Sequence, residues 1–127
     1  MATGAIGGCG LDVQSPDLFV ITRTGQGQKL TMVVSYDGSI SCNNGPQKQL
    51  PDPLLLQGRD LSNTLNNDTK KKLTVPRTSR SVFSYTVKLQ NGTISFPDTA
   101  GLEHPDLAQT EQFFLNAVQQ GCGISGQ

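Results

Sequence analysis

The stretch from Val82 to Phe96, VFSYTVKLQNGTISF, constrains the fold of this chain more than any other. Two runs rich in β-branched and aromatic residues flank Asn91-Gly92, a dipeptide that tolerates positive φ at both positions of a type I′ hairpin turn. With Asn91 and Gly92 as the loop, Leu89 is expected opposite Ile94 and Val87 opposite Phe96. Phe83, Tyr85, Val87, Leu89, Ile94 and Phe96 then share one face. Ser84, Thr86, Lys88, Thr93 and Ser95 share the other, with Val82 as its one apolar member. A slip of one residue would turn the whole apolar set to water, so the division into faces is tightly specified.

An earlier hairpin is expected from Leu18–Thr24 (LFVITRT) and Lys29–Tyr36 (KLTMVVSY). Between them Gly25, Gln26, Gly27 and Gln28 read as a mobile, four-residue tip. Asp37-Gly38 then turns the chain into a short third strand, Ser39–Cys42. Alternation places Val33, Ile40 and Cys42 on one face and Leu30, Met32, Val34 and Tyr36 on the other. The third strand is therefore either apolar on both faces or bulged at its turn. Asn43–Leu50 reads as a turn-rich connection.

Asp52 as N-cap and Pro53 at the first helical position start a helix. Its stripe is Leu54, Gly58, Leu61 and Leu65, at spacings of 4, 3 and 4. Asn66-Asn67-Asp68 is expected to end it. The next eleven positions hold Lys70, Lys71, Lys72, Arg77 and Arg80, half of the chain's 10 basic residues. Leu73, Thr74 and Val75 between them suit a brief edge strand. A charged edge that discourages aggregation is the ordinary reading of this segment. Its functional reading is a contact surface for an acidic partner or an anionic headgroup. The segment has no interleaved aromatic residues, which argues against single-stranded nucleic acid.

After a loop over Pro97–Glu103, a second helix starts at Pro105. Asp106 and Glu111 lie toward its positive N-terminal end, and Leu107, Phe114, Val118 and Cys122 run down one side, with Phe113 and Ala117 beside them. Gly121 or Gly123 supplies its C-cap. The order β-β-β-α-(β)-β-β-α specifies an α+β, two-layer domain. It is an antiparallel sheet of four to six strands with two helices on one face. The domain is expected over residues 17–124, behind a flexible leader, residues 1–16, and ahead of a frayed tail, residues 125–127.

Charge and cysteine content narrow the function. The net charge is zero and only 16% of residues are charged, so no global field draws the chain to nucleic acid or a membrane surface. No apolar run approaches the roughly 18 residues needed to span a bilayer. The 3 cysteines are an odd count, which in a secreted protein implies one bridge and one thiol with another fate. Cys42 ends a strand and Cys122 lies on the core side of the last helix, so these two are expected to pair, leaving Cys9 over. A bridge closing so long a loop contributes on the order of 4 kcal/mol.

No catalytic constellation is legible. The one histidine, His104, precedes Pro105 and is expected to be exposed. No HExxH, paired CxxC, GxSxG, P-loop or strand-to-helix GxGxxG occurs, and no cofactor is implied. Asp98, Glu103, Asp106 and Glu111 gather around the loop after Phe96. Paired carboxylates can do acid–base work or bind calcium, but acids near a helix N-terminus have an ordinary explanation in the helix dipole.

Ile6-Gly7-Gly8-Cys9 has the form of a bacterial lipobox, an aliphatic and two small residues before the cysteine that is lipidated. Together with the LFVITRTG strand, the PDPLLLQGRDL helix and the NGTISFPD turn, it resembles small uncharacterised bacterial lipoproteins. That resemblance implies a lipid anchor on Cys9 and a domain acting outside the cytoplasmic membrane. The order of a strand ending in TRTG, a Leu-rich helix, a hairpin and a final helix is also similar to emfourin-type inhibitors of thermolysin-like metalloproteases. That likeness implies a small non-enzymatic protein that blocks a protease with exposed loops. The expected function is thus a monomeric, non-enzymatic, extracytoplasmic protein-binding module. Its expected contact residues are Gly25, Gln26, Gly27, Gln28, Lys70, Lys71, Lys72, Arg77 and Arg80, and it meets the membrane only through a lipid on Cys9. The alternative is an envelope structural or small-anion-binding protein.

Overall fold

Strand β1, Asp17–Gly25, joins the two halves of the sheet, hydrogen-bonded to a strand from each. It pairs antiparallel with β2, Gln28–Ser35, and with β5, Ser84–Leu89. Outward from β2 come β3, Ser39–Cys42, and the two-residue β4, Lys48–Gln49; outward from β5 comes β6, Gly92–Pro97. The order across the antiparallel sheet is β4-β3-β2-β1-β5-β6. Helix α1, Asp52–Lys70, separates the two halves, and helix α2, Pro105–Cys122, ends the described chain after a 3-10 turn over Asp98–Leu102. The computed structural model describes residues 17–71, 73 and 75–124. The expected leader 1–16 with its anchor Cys9, the contact residue Lys72, and the tail 125–127 lie outside the described residues.

One face of the sheet is dry. Phe19 and Ile21 of β1, Met32 and Val34 of β2, Ile40 of β3, Tyr85 and Val87 of β5, and Ile94 and Phe96 of β6 are all buried. Contacts from both helices reach this row. Phe113 of α2 meets Phe19 edge to face at 5.5 Å, and Phe114 meets Tyr85 in the same way at 5.6 Å. Gly58 of α1 lies against both Phe113 and Phe19, where an added Cβ would sit 3.1 Å from Phe113 and 3.7 Å from Phe19. The helical stripe read from spacing is the buried one, Leu54, Gly58, Leu61 and Leu65. The fold is α+β as the pattern specified.

Several details differ from expectation. The organising hairpin turns at Gln90-Asn91, with Leu89 opposite Gly92, Val87 opposite Ile94 and Tyr85 opposite Phe96. That register lies two residues from the expected one, and an even shift leaves every side chain on its own face. Neither Gln90 nor Asn91 has positive φ, so the turn is not type I′. A tertiary contact competes with the local preference: the Asn91 N–H donates to Asn66 Oδ1 of α1 at 3.1 Å. Conversely, the glycine-rich tip is a tight turn rather than a four-residue loop. Gly25 pairs with Gln28, and Gln26 and Gly27 carry the positive φ values, 52° and 73°.

The ambiguity at the third strand resolves through loop parity. Val34 faces Ile40 and Met32 faces Cys42, so an odd, three-residue turn at Tyr36–Gly38 puts Ile40 and Cys42 on the buried side with Met32. Val33, expected with them, pairs with Ser41 on the open face. Helix α1 begins at Asp52 with Pro51 as N-cap, and it continues past Asn66-Asn67-Asp68 to Lys70. The expected strand over Leu73–Val75 is absent at both described positions, Leu73 and Val75. Helix α2 starts at Pro105 as expected and is capped by Gly123 at φ +70°.

The sulfurs of Cys42 and Cys122 are placed as a disulfide, 2.06 Å apart, across a separation of 80 residues. Beside it, Gly121 lets α2 sit directly on Ile40, where an added Cβ would lie 2.9 Å from that side chain. Closing a loop of 80 residues removes about 4.5 kcal/mol of unfolded-state entropy. The Cys42→Ser, Cys122→Ser double variant is therefore expected to lose about 4 kcal/mol in a denaturant titration. Addition of reductant to the native protein should reproduce that loss, and a midpoint unmoved by reductant would show the sulfurs unbonded.

Candidate partner-binding surface

Three segments meet at one end of the sheet. Gly25, at the tip of β1, lies so close to the start of β5 that an added Cβ would be 2.6 Å from both the Val82 carbonyl oxygen and the Phe83 ring. The Val82 N–H donates to Asp98 Oδ1 at 3.0 Å, and Ser81 Oγ bonds Thr99 Oγ1 at 3.0 Å, tying the approach to β5 onto the 3-10 turn. Within that approach Arg77 bonds Ser84 Oγ and donates to the Ser81 carbonyl at 3.1 Å. The structure thus brings the predicted tip next to the C-terminal end of the predicted basic segment.

A groove of about 420 Å³ opens between this segment and the 3-10 turn. Val75, Pro76 and Arg80 form one wall; Ala100, Leu102 and Glu103 form the other. Leu102, on the groove, is 84% exposed, and Val82 is 44% exposed. The basic residues do not form one patch. Arg80 lines the groove, whereas Lys71 lines a separate cavity of about 230 Å³ with Asp68, Leu73, His104, Pro105 and Asp106. Lys70 is exposed on the last turn of α1.

The acidic cluster does not stay together: Glu103 lines the groove, and the other three acids fall into two pairs, one of them with a residue from α1. Asp106, at the start of α2, approaches Asp68 of α1, a residue that the sequence reading treated only as a helix end. Burial raises the Asp68 pKa first, and a hydrogen bond with Asp106 raises it further. The buried Asp68 Oδ2 meets no N–H or hydroxyl donor. His104, half-buried rather than exposed, lines the same cavity. The second pair is Glu111 and Asp98: burial, then the Asp98 charge, pushes Glu111 to about 7. Among the described residues no group of three or more His, Cys, Asp or Glu side chains is placed to hold a metal.

The residue that the sequence reading missed is Arg23. It sits on the dry face of β1, two positions after Ile21, and is only 6% exposed. Its guanidinium lies 4.4 Å from the Phe83 ring centre and 5.5 Å from that of Phe114. It also hydrogen-bonds Tyr85, whose hydroxyl pKa is raised chiefly by burial and then by the Glu111 charge. The available signal was strict alternation, which places Arg23 with Phe19 and Ile21.

No known protein family, curated protein or solved structure matches this chain. No helix among the described residues is long and apolar enough to cross a membrane.

Glu111 makes the fold acid-favouring over a defined window. Folded protein holds this proton up to about pH 7, whereas the carboxyl's ordinary value is 4.5. Folding is therefore favoured at the acid end, and stability falls as pH rises from 4.5 through about 7. Asp68 acts in the same direction. Glu111→Gln should raise stability at pH 8 by about 1 kcal/mol, a figure discounted for the side chain's partial exposure. Denaturant titrations from pH 4 to 8 should show the variant's profile flattened over that range; an unchanged slope would contradict the assignment.

Proposed function

We propose that the protein is a non-enzymatic, extracytoplasmic binding module that docks a protein partner at the end of the sheet formed by the tip, residues 75–82 and the 3-10 turn. The observation that carries this reading is the groove beside Leu102. It combines volume, exposed apolar surface and flanking charge, Arg80 on one wall and Glu103 on the other. A peptide with an apolar anchor between charges of both signs fits that lining. The groove is also firmly built, since Asp98, Thr99 and Ser81 lock its two walls together.

Placement of the Cys42–Cys122 pair supports an oxidising compartment. In this reading Cys9 is the third cysteine, available for a lipid anchor. The protease-inhibitor form of the proposal follows from the likeness in element order to emfourin-type proteins and from exposed, braced loops at one end. In that form Leu102 enters a specificity pocket of the protease.

Titration of thermolysin with the oxidised protein is expected to abolish peptidase activity at micromolar protein, and Leu102→Asp to weaken the effect about tenfold or more. Unchanged protease activity removes the inhibitor form. For the wider docking reading, a photo-crosslinker at position 102 in host cells should give a discrete protein adduct. The same group at Leu56, a 61% exposed leucine on α1, should give none. Equal labelling from the two positions, or none from position 102, would overturn the docking surface.

A further inference from the structure

We propose that the cavity between α1 and the start of β1 binds a small zwitterion, an α-amino acid of about glycine's size. It lies at the end of β1 opposite the tip, so it is separate from the groove beside Leu102 and does not depend on the docking reading. Its volume is about 150 Å³. At roughly 30 Å³ for each water-sized group, it admits about five non-hydrogen atoms. Glycine fits that space; a sugar or a nucleotide does not.

The α1 wall consists of Arg59, Ser62, Asn63 and Asn66, whose spacings of 3, 1 and 3 put them on one side of the helix. Asp17 and Leu18 of β1, Tyr36 after β2 and Gln90 of the β5–β6 turn complete the lining. Arg59 is held in place, since its Nη2 donates to the Tyr36 carbonyl at 2.8 Å and its guanidinium carbon lies 4.8 Å from the Tyr36 ring centre. Its Nε is nevertheless buried and meets no acceptor among the described residues. Buried donors are almost always bonded in folded proteins, and an orphan one marks a place that a bound group fills.

The two walls differ in what they offer. On α1, Asn66 Oδ1 already accepts the Asn91 N–H at 3.1 Å, so the amide group Asn66 can offer is its Nδ2 donor. With Arg59 Nε it makes a donor side, suited to a carboxylate. Across from it, Asp17 Oδ1 accepts the Ser35 hydroxyl at 3.3 Å, and a carboxylate has acceptor capacity beyond one such bond. Asp17 is therefore the partner for an ammonium. A bare oxyanion would meet the Asp17 charge, and a bare amine the Arg59 charge. A molecule carrying both groups meets each residue with its opposite.

The test is an NMR titration of the oxidised full chain with glycine at neutral pH, reading the Arg59 Nε–H and the side-chain amides of Asn63, Asn66 and Gln90. Propionate is the size-matched control with a methyl in place of the ammonium, and glycinamide the one with a neutral amide in place of the carboxylate. Saturable shifts at Arg59 Nε–H and Asn66 Nδ2 are expected with glycine. Propionate and glycinamide should each bind at least about tenfold more weakly. Arg59→Lys keeps the charge but loses the Nε donor, and should weaken glycine binding about tenfold. Asp17→Asn keeps an acceptor for Ser35, so the fold is retained; it should weaken glycine about tenfold and leave propionate no weaker. Absence of saturable shifts at millimolar glycine would show a cavity that holds water only, and would overturn the proposal. So would equal binding of propionate or glycinamide, or glycine binding unchanged in Asp17→Asn.

Discussion

The junction of Phe19, Phe113 and Gly58 is the contact on which the rest of the structure depends. The central strand, the last helix and the first helix come together there, with the two rings edge to face at 5.5 Å. Gly58 has no side chain, so α1 can lie directly over Phe113. An added Cβ at that position would sit 3.1 Å from Phe113 and press on a fully buried ring in a core packed at near-crystalline density. The seating of the helices then decides what their ends touch. The last turn of α1 meets the first turn of α2, which forces Asp68 against Asp106. At the far end α2 lies on Ile40 through Gly121, and Cys122 reaches Cys42.

Both ends of the helix pair therefore carry a constraint, of opposite kinds. The disulfide end acts mainly on the unfolded chain, by shortening a loop of 80 residues. The carboxyl end acts on the folded chain, where burial raises the Asp68 pKa and so favours folding at the acid end. The first constraint responds to redox conditions and the second to pH. Their combination suits a protein whose fold is most secure when oxidised and mildly acidic.

The faces of the sheet were legible in the sequence because period-two alternation survives any even error in register. The hairpin from Ser84 to Pro97 shows this: its turn lies at Gln90-Asn91 instead of Asn91-Gly92, yet Tyr85, Val87, Ile94 and Phe96 are all buried. The third strand was not legible for the complementary reason. An odd, three-residue turn moved Ile40 and Cys42 to the face opposite the one that simple alternation gives. Turn type failed where local propensity met a tertiary competitor, the Asn66 side chain on α1. The site was less legible than the fold. Leu102 and Arg80 line one groove although 22 positions separate them in the chain, and no periodicity connects them. Lys71 and Arg80, neighbours by composition, line different cavities.

Arg23 shows why a local pattern can mark a position without revealing its role. Alternation places it on the dry face after Phe19 and Ile21, where a leucine would satisfy the same packing. Burying a guanidinium costs several kcal/mol, and replacing such a charge with a hydrocarbon often stabilises a protein. Aromatic rings at 4.4 and 5.5 Å and the Tyr85 hydroxyl offset part of that cost. Glu111, the carboxyl that acts on Tyr85 most strongly, is itself held near half-protonation at pH 7, so it supplies less than a full negative charge.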